Sequence, residues 1–397
     1  MTRPIRFILL ALGMTILMAG MWGGLLRLGV TLPPWLALSV PHHGALMIGG
    51  FLGTLITLER AVALGRWWCY LGPAAAGLGA WAMMLDAPAH VGPGLITAAS
   101  VILMADFAVI LRRQLTAFTV VMALGGLVWL VGNVLWLAGW AVPYLVPWWA
   151  GFLILTIVGE RLELSRFMPQ RPGRQASFIL ATGIYTLGLV LGLAWPGLGA
   201  AVMGAGLVAL AVWLGIFDVA RRTIRQRELP RFVAAALLSG YGWLALGGVL
   251  MVYYAMVTPG GHASWAMTVP LVGWQYDAIW HCILMGFVFA MIFGHAPIIF
   301  PAVLGIQIRY SPLFYTHLAL LQVTLAMRVV GDLALWPLWR EWGGIGNAAA
   351  VLLFLALTVS HARGRPAAGP PASPAAGDGT GKLPGSEPSL VSLGRGG

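Results

Sequence analysis

Charge is what this sequence has least of. Only 9% of its 397 residues are Asp, Glu, Lys or Arg, against about 25% in a soluble domain. Hydrophobic residues make up 60%, and the mean hydropathy is +0.88. So little charge cannot solvate a fold of this size, and the chain reads as an integral membrane protein with the lipid bilayer as its first partner. Lysine is nearly absent, occurring once at Lys382, so arginine carries the formal charge of +11. Those arginines sit in short clusters between apolar runs and form no continuous basic face, which argues against nucleic acid as a partner. Cysteine occurs twice, at Cys69 and Cys282. The two fall on different expected helices at opposite depths, which speaks against a disulfide. Phosphate loops, nucleophile elbows, CxxC, CxxCH and HExxH are all missing, so hydrolase, nucleotide-driven and covalent c-type haem readings have no support.

What is present is apolar run after apolar run. Stretches of about 20 such residues predict about 12 transmembrane helices, near 5–29, 36–63, 67–86, 92–112, 117–141, 145–166, 176–195, 198–219, 232–256, 273–299, 312–335 and 343–361. The fold class is an all-α polytopic membrane protein. Arginine falls on alternate loops: Arg3 and Arg6, Arg60 and Arg66, Arg112 and Arg113, then the groups around Arg171 and Arg222, Arg309, and Arg363 with Arg365. Arg340 beside Glu341 is the one clear exception. This alternation predicts a multi-pass protein with both termini in the cytoplasm. The first run continues without a small-residue cleavage site and is expected to remain as a helix. Residues 1–363 form the membrane domain, and 364–397, rich in Pro, Gly, Ala and Ser, read as a disordered tail. No fixed-period repeat is visible.

Residues 274–303 carry Asp277, His281 and His295 on one long apolar stretch, with Pro297 and Pro301 expected to break the helix at its end. Polar groups in a span are costly unless they face the protein interior, so these residues are the first place to look for chemistry. In an α-helix the 14 residues between the two histidines fall about 40° short of whole turns and rise roughly 21 Å, giving one face and two depths. Topology then predicts an outer layer of His42, His43, Asp277, His281, Arg328 and Asp332. An inner layer holds Glu59, Arg60, Glu160, Arg161, Glu163, His295 and His317. Asp277 with Arg328, and Glu59 with Arg60 or Glu160 with Arg161, are candidate charge pairs.

Gly44, Gly49, Gly50 and Gly53 follow His43, and Gly286 and Gly294 flank the histidines of the later run. Such glycines serve close helix packing, or they leave a flat groove in which a porphyrin lies against backbone. An isolated intramembrane histidine can equally be a helix-to-helix hydrogen bond. His43 and His281 differ from His295 and His317 in matching each other in depth, as a haem ligated from two sides requires. The GERLELSR run at 159–166 reads either as an interfacial helix end or as a proton or anion entry.

HCILMGFVFAMIFGHAPI, followed by a helix ending LLQVTLAMRVVGD, resembles the late helices of the NnrS family, twelve-span haem- and copper-containing membrane proteins linked to nitric oxide stress. HHGALMIGGFLGTLI similarly resembles that family's early histidine helix. The likeness covers about 80 residues in two blocks. The family's early block usually reads His-Glu where this chain has His43-Gly44, and a Thr-Gly-Arg turn gives way here to Ala296-Pro297-Ile298. The resemblance carries over His43, His281 and His295 as candidate haem or metal ligands, with Arg328 as the matching arginine. It implies a protein of the bacterial inner membrane with a b-type haem held by His43 and His281, nitric oxide or a similar small gas as ligand, and a role in nitrosative stress. Copper, if present, would use His295 with His317, a further metal-ligand candidate of the inner layer. Five intramembrane histidines are too few for a terminal oxidase. A proton-coupled secondary transporter, its relay built from buried His, Asp and Arg, is the alternative. Whether the protein is an enzyme stays open.

Overall fold

In hydrocarbon a peptide group has no water to bond, so apolar runs of spanning length fold as helices that satisfy their own backbone. The computed structural model describes residues 3–166, 168, 172–257 and 273–364, and among these it is a bundle of long helices. They are α1 (Arg3–Arg27), α2 (Ser39–Leu64), α3 (Leu71–Met84), α4 (Val91–Arg113), α5 (Ala117–Leu137) and α6 (Val142–Ser165), followed by α7 (Arg174–Leu191), α8 (Pro196–Phe217), α9 (Glu228–Val257), α10 (Trp274–Leu304), α11 (Phe314–Leu333) and α12 (Pro337–Ser360). Eleven of them are long and apolar enough to cross a membrane, as a polytopic membrane protein requires. The exception is α3, whose 14 residues are preceded by a 3₁₀ turn at Trp67–Tyr70. The expected tail from residue 365 onward, the loop bearing His262, and Arg171 lie outside the described residues.

Neighbours in sequence pack as antiparallel hairpins, and glycine sets how closely they approach. On α8, a Cβ added at Gly206 would stand 2.5 Å from the Tyr185 backbone nitrogen of α7; one added at Gly204 would stand 2.7 Å from the Gly248 carbonyl of α9. Gly49, Gly50 and Gly53 of α2 likewise face Ile96, Ala80 with Ile16, and Trp129 of its neighbours. These three serve packing. Both free cysteines are buried, and no disulfide joins them.

Helix α10 does not stop at its prolines. It runs through Pro297 and Pro301 to Leu304 and ends at Gly305, whose φ of 70° only glycine adopts freely. In a membrane bundle neighbouring groups can take up the freed carbonyls. At the end of the helix, where the last carbonyls have no intrahelical donor, Arg6 donates from Nη1 to the Val303 carbonyl at 3.1 Å. A short antiparallel ribbon, β1 (Ile306–Ile308) with β2 (Ala362–Gly364), then ties the end of α10 to the end of α12.

Gly206→Val is expected to destabilise the bundle by roughly 1–3 kcal/mol, because the added methyls push α7 and α8 apart. Gly215→Val on the same helix, where a Cβ meets nothing within 4 Å, should leave thermal unfolding in detergent unchanged. Equal melting temperatures for the two variants would contradict this account of the packing.

Candidate functional site

At the arginine-poor end of the bundle, α1, α2, α6, α10, α11 and α12 enclose a cavity of about 220 Å³. Its walls include His43, Asp277, His281, Arg328, Arg27 and Arg340, set among apolar residues such as Met47, Val146, Met285 and Phe289. His43 and His281, matched by depth in the sequence, therefore face one space. Below them Phe51 of α2 stacks on Phe289 of α10, with ring centroids 6.3 Å apart.

The glycines that seat His43 lie on α1. Gly20 accepts a hydrogen bond from His43 Nδ1 at 2.7 Å, and a Cβ at Gly24 would come within 2.8 Å of the imidazole ring. Gly44, beside His43, borders the cavity and has nothing within 4 Å of its would-be Cβ, so it holds the groove open. His281 Nδ1 donates to the Asp277 carbonyl of its own helix, also at 2.7 Å. A carbonyl oxygen can only accept, so in both rings Nδ1 carries a proton and Nε2 is the nitrogen left for the cavity. This is how ligating histidines are commonly oriented.

Immediately after each of these histidines the helix widens. Leu46–Leu52 of α2 and Cys282–Phe289 of α10 are π-helical, and π-turns occur frequently at functional sites. The two segments share a pattern: His43-Gly44-Ala45-Leu46-Met47 parallels His281-Cys282-Ile283-Leu284-Met285, and both methionines line the cavity. The π-turn also corrects the expected geometry of α10. The common face of His281 and His295 assumed α-helix throughout, and the widened turn between them breaks that register. His295 does not border the cavity; its Nδ1 donates to the Met291 carbonyl at 2.7 Å.

A charge network closes the mouth. Arg340 donates from Nη2 to Asp277 Oδ2 at 2.6 Å and from Nε to Asp332 Oδ1 at 2.8 Å. Its guanidinium carbon also lies 5.1 Å above the Trp274 ring. The expected Asp277–Arg328 pair is present at 3.8 Å, and Arg328 stands 3.6 Å from Asp332. Close hairpin packing builds this cluster. A Cβ at Gly343 of α12 would sit 2.5 Å from the Arg328 backbone nitrogen, and Gly331 of α11 lies as tightly against Arg340. Arg340, set aside in the sequence as an exception to the arginine pattern, is the residue both carboxylates bind.

The other expected sites lie apart. Across the bundle, α2 rises about 25 Å from His43 to Arg60. There Arg60 bonds Glu160 of α6 and lies 3.5 Å from Glu59. Glu160 thus pairs across helices instead of with its neighbour Arg161. His317 sits among Phe232, Phe293, Phe314 and Phe354, with ring centroids 4.7–6.0 Å away, and its Nδ1 is buried without a partner. Among the described residues no three His, Cys, Asp or Glu side chains gather as a metal site would need. The sequence reading also passed over Asp106, a wholly buried carboxylate on α4.

Fold and cavity together define a polytopic helical membrane protein with a histidine- and arginine-lined chamber at one end. The chain matches the family described as "Domain of unknown function (DUF8744)" over residues 6–363, and it belongs to that family. No curated protein matches it.

Removing Arg340 leaves two largely buried carboxylates with only the more distant Arg328. Arg340→Met is expected to cost on the order of 3–5 kcal/mol of stability, the range for breaking a buried ion pair. Arg328→Met should cost clearly less. Chemical unfolding in detergent reads both, and the reverse ranking would show that Arg328 is the main partner of Asp277 and Asp332.

Proposed function

We propose that this protein is an NnrS-like haem-binding protein of the bacterial inner membrane, crossing it twelve times with both termini in the cytoplasm and acting in the response to nitric oxide. The twelfth crossing in this count is α3. The observation that carries the haem reading is the pair His43 and His281: two helices bring them to one cavity, and both keep Nδ1 on a backbone carbonyl.

The residues present suit a porphyrin held by two imidazoles. His43 and His281 would hold the iron through Nε2, and Gly44 leaves backbone exposed where a flat ring needs room. When bound, haem would supply one-electron exchange and, with one of the two imidazoles released, an iron that binds small gases. The chain supplies orientation and dryness. Gly20 and the Asp277 carbonyl fix the two rings, Phe51 and Phe289 close the floor against water, and apolar Met47 and Met285 line the walls. A gas such as nitric oxide needs only apolar access, which this lining provides.

The charge cluster of Glu59, Arg60 and Glu160 at the far end supports a second reading, a proton-coupled transporter with the cavity as its substrate chamber. One measurement separates the two. A dithionite-reduced minus oxidised spectrum of the purified protein is expected to show a Soret band with sharp α and β bands, lost in the His43→Ala, His281→Ala double variant. Unchanged bands in that variant would remove the two histidines as ligands. A colourless, iron-free protein from haem-sufficient cells would favour the transporter.

A further inference from the structure

We propose that Arg328 is the receptor for one carboxylate or small oxyanion bound in the cavity, with Arg27 as a second cation at the mouth. Arg340 takes both carboxylates at hydrogen-bond distance, leaving Arg328 with the same two groups only at 3.6 and 3.8 Å. Arg328 is 5% exposed, yet among the described residues none of its N–H groups makes a hydrogen bond; Nε only faces Asp332 Oδ2 across the 3.6 Å of their ion pair. A buried donor left unbonded costs free energy, and a guanidinium offers five donors in a planar fork that matches a carboxylate. The cavity walls hold three arginines, Arg27, Arg328 and Arg340, against Asp277, with Asp332 bound just behind. Three positive charges against two negative leave one positive charge unbalanced. Gly344 lets the guanidinium and Leu28 pack beside it, since a Cβ there would run into Leu28 Cδ1 and stand 3.0 Å from Arg328 Nη1.

A carboxylate could reach this fork as a side group of a porphyrin held by His43 and His281, or as a free small anion. The first source rests on the haem reading, and the second does not. The test uses the full-length protein purified haem-free in detergent, in wild-type form and as Arg328→Lys and Arg328→Met; the lysine variant keeps the charge if the methionine variant fails to fold. Haemin and its dimethyl ester, whose carboxylates are blocked, are titrated by Soret absorbance, and sodium acetate is titrated by calorimetry against a chloride background.

Haemin binding at least tenfold tighter than its ester, with the preference lost in Arg328→Lys, identifies the porphyrin carboxylate. Equal affinity for haemin and ester, with saturable acetate binding that weakens at least tenfold in Arg328→Lys, identifies a free anion. Acetate binding of that kind without any porphyrin binding keeps the inference and discards the haem reading. Porphyrin binding without preference for the acid, together with no saturable acetate binding, overturns the inference while leaving the haem reading intact.

Discussion

The arginine-poor end of this protein depends on how two carboxylates are neutralised in a place with little water. Asp277 begins α10 and Asp332 ends α11, and both are held by Arg340 from the start of α12. A lone carboxylate in such a place would be untenable, and a single guanidinium bridging two makes the three helix ends one unit. Everything that faces the cavity from these helices takes its position from that unit. His281 stands one turn from Asp277, and Arg328 one turn before Asp332. The bond network is thus a frame for the site before it is a source of stability.

Glycine and the π-turn do for the imidazoles what the ion network does for the helix ends. A ring the size of imidazole cannot sit between α1 and α2 at ordinary helix spacing. Gly20, Gly23 and Gly24 thin α1 where His43 enters, and a Cβ added at Gly23 would stand 2.5 Å from the Ser39 hydroxyl and carbonyl oxygens. The π-turns then change the direction in which the following residues face. Without them, the side chains below His43 and His281 would keep their α-helical register and fall on a different part of the neighbouring helices. Widened turns forgo regular hydrogen bonding, so two of them beside two cavity histidines mark the place where packing has yielded to a site.

Much of this was legible in the sequence, and the omissions share a cause. Depth along a span follows from residue count, so His43, His281, Asp277 and Arg328 could be set at one level from topology alone. The direction a side chain faces is harder to read, since it depends on a helix period that a π-turn alters silently; this is why the expected common face of His281 and His295 does not hold, and only His281 borders the cavity. Partners across helices were legible only where one opposite charge was available. Glu160 had Arg161 beside it in sequence, but adjacent helical positions diverge by about 100°, and Arg60 of α2 takes the bond. The twin His-x-x-Leu-Met segments were visible in the letters, yet they gain meaning only when both are seen to border one cavity and both are followed by a π-turn.

Arginine at this end of the bundle is concentrated in one place. Loops at this end are poor in arginine, yet Arg27, Arg328 and Arg340 all lie here. All three border the same cavity. Arginines without a common role would fall on separate loops and face solvent or headgroups. Their convergence on one chamber, one of them almost wholly buried, marks a local need for positive charge. Asp277 and Asp332 offset only two of the three charges. The remaining positive charge, in an apolar chamber with two imidazole nitrogens and no third carboxylate, is a constraint on what the chamber can hold: a ligand that is apolar over most of its surface and anionic at one edge, or a small anion alone.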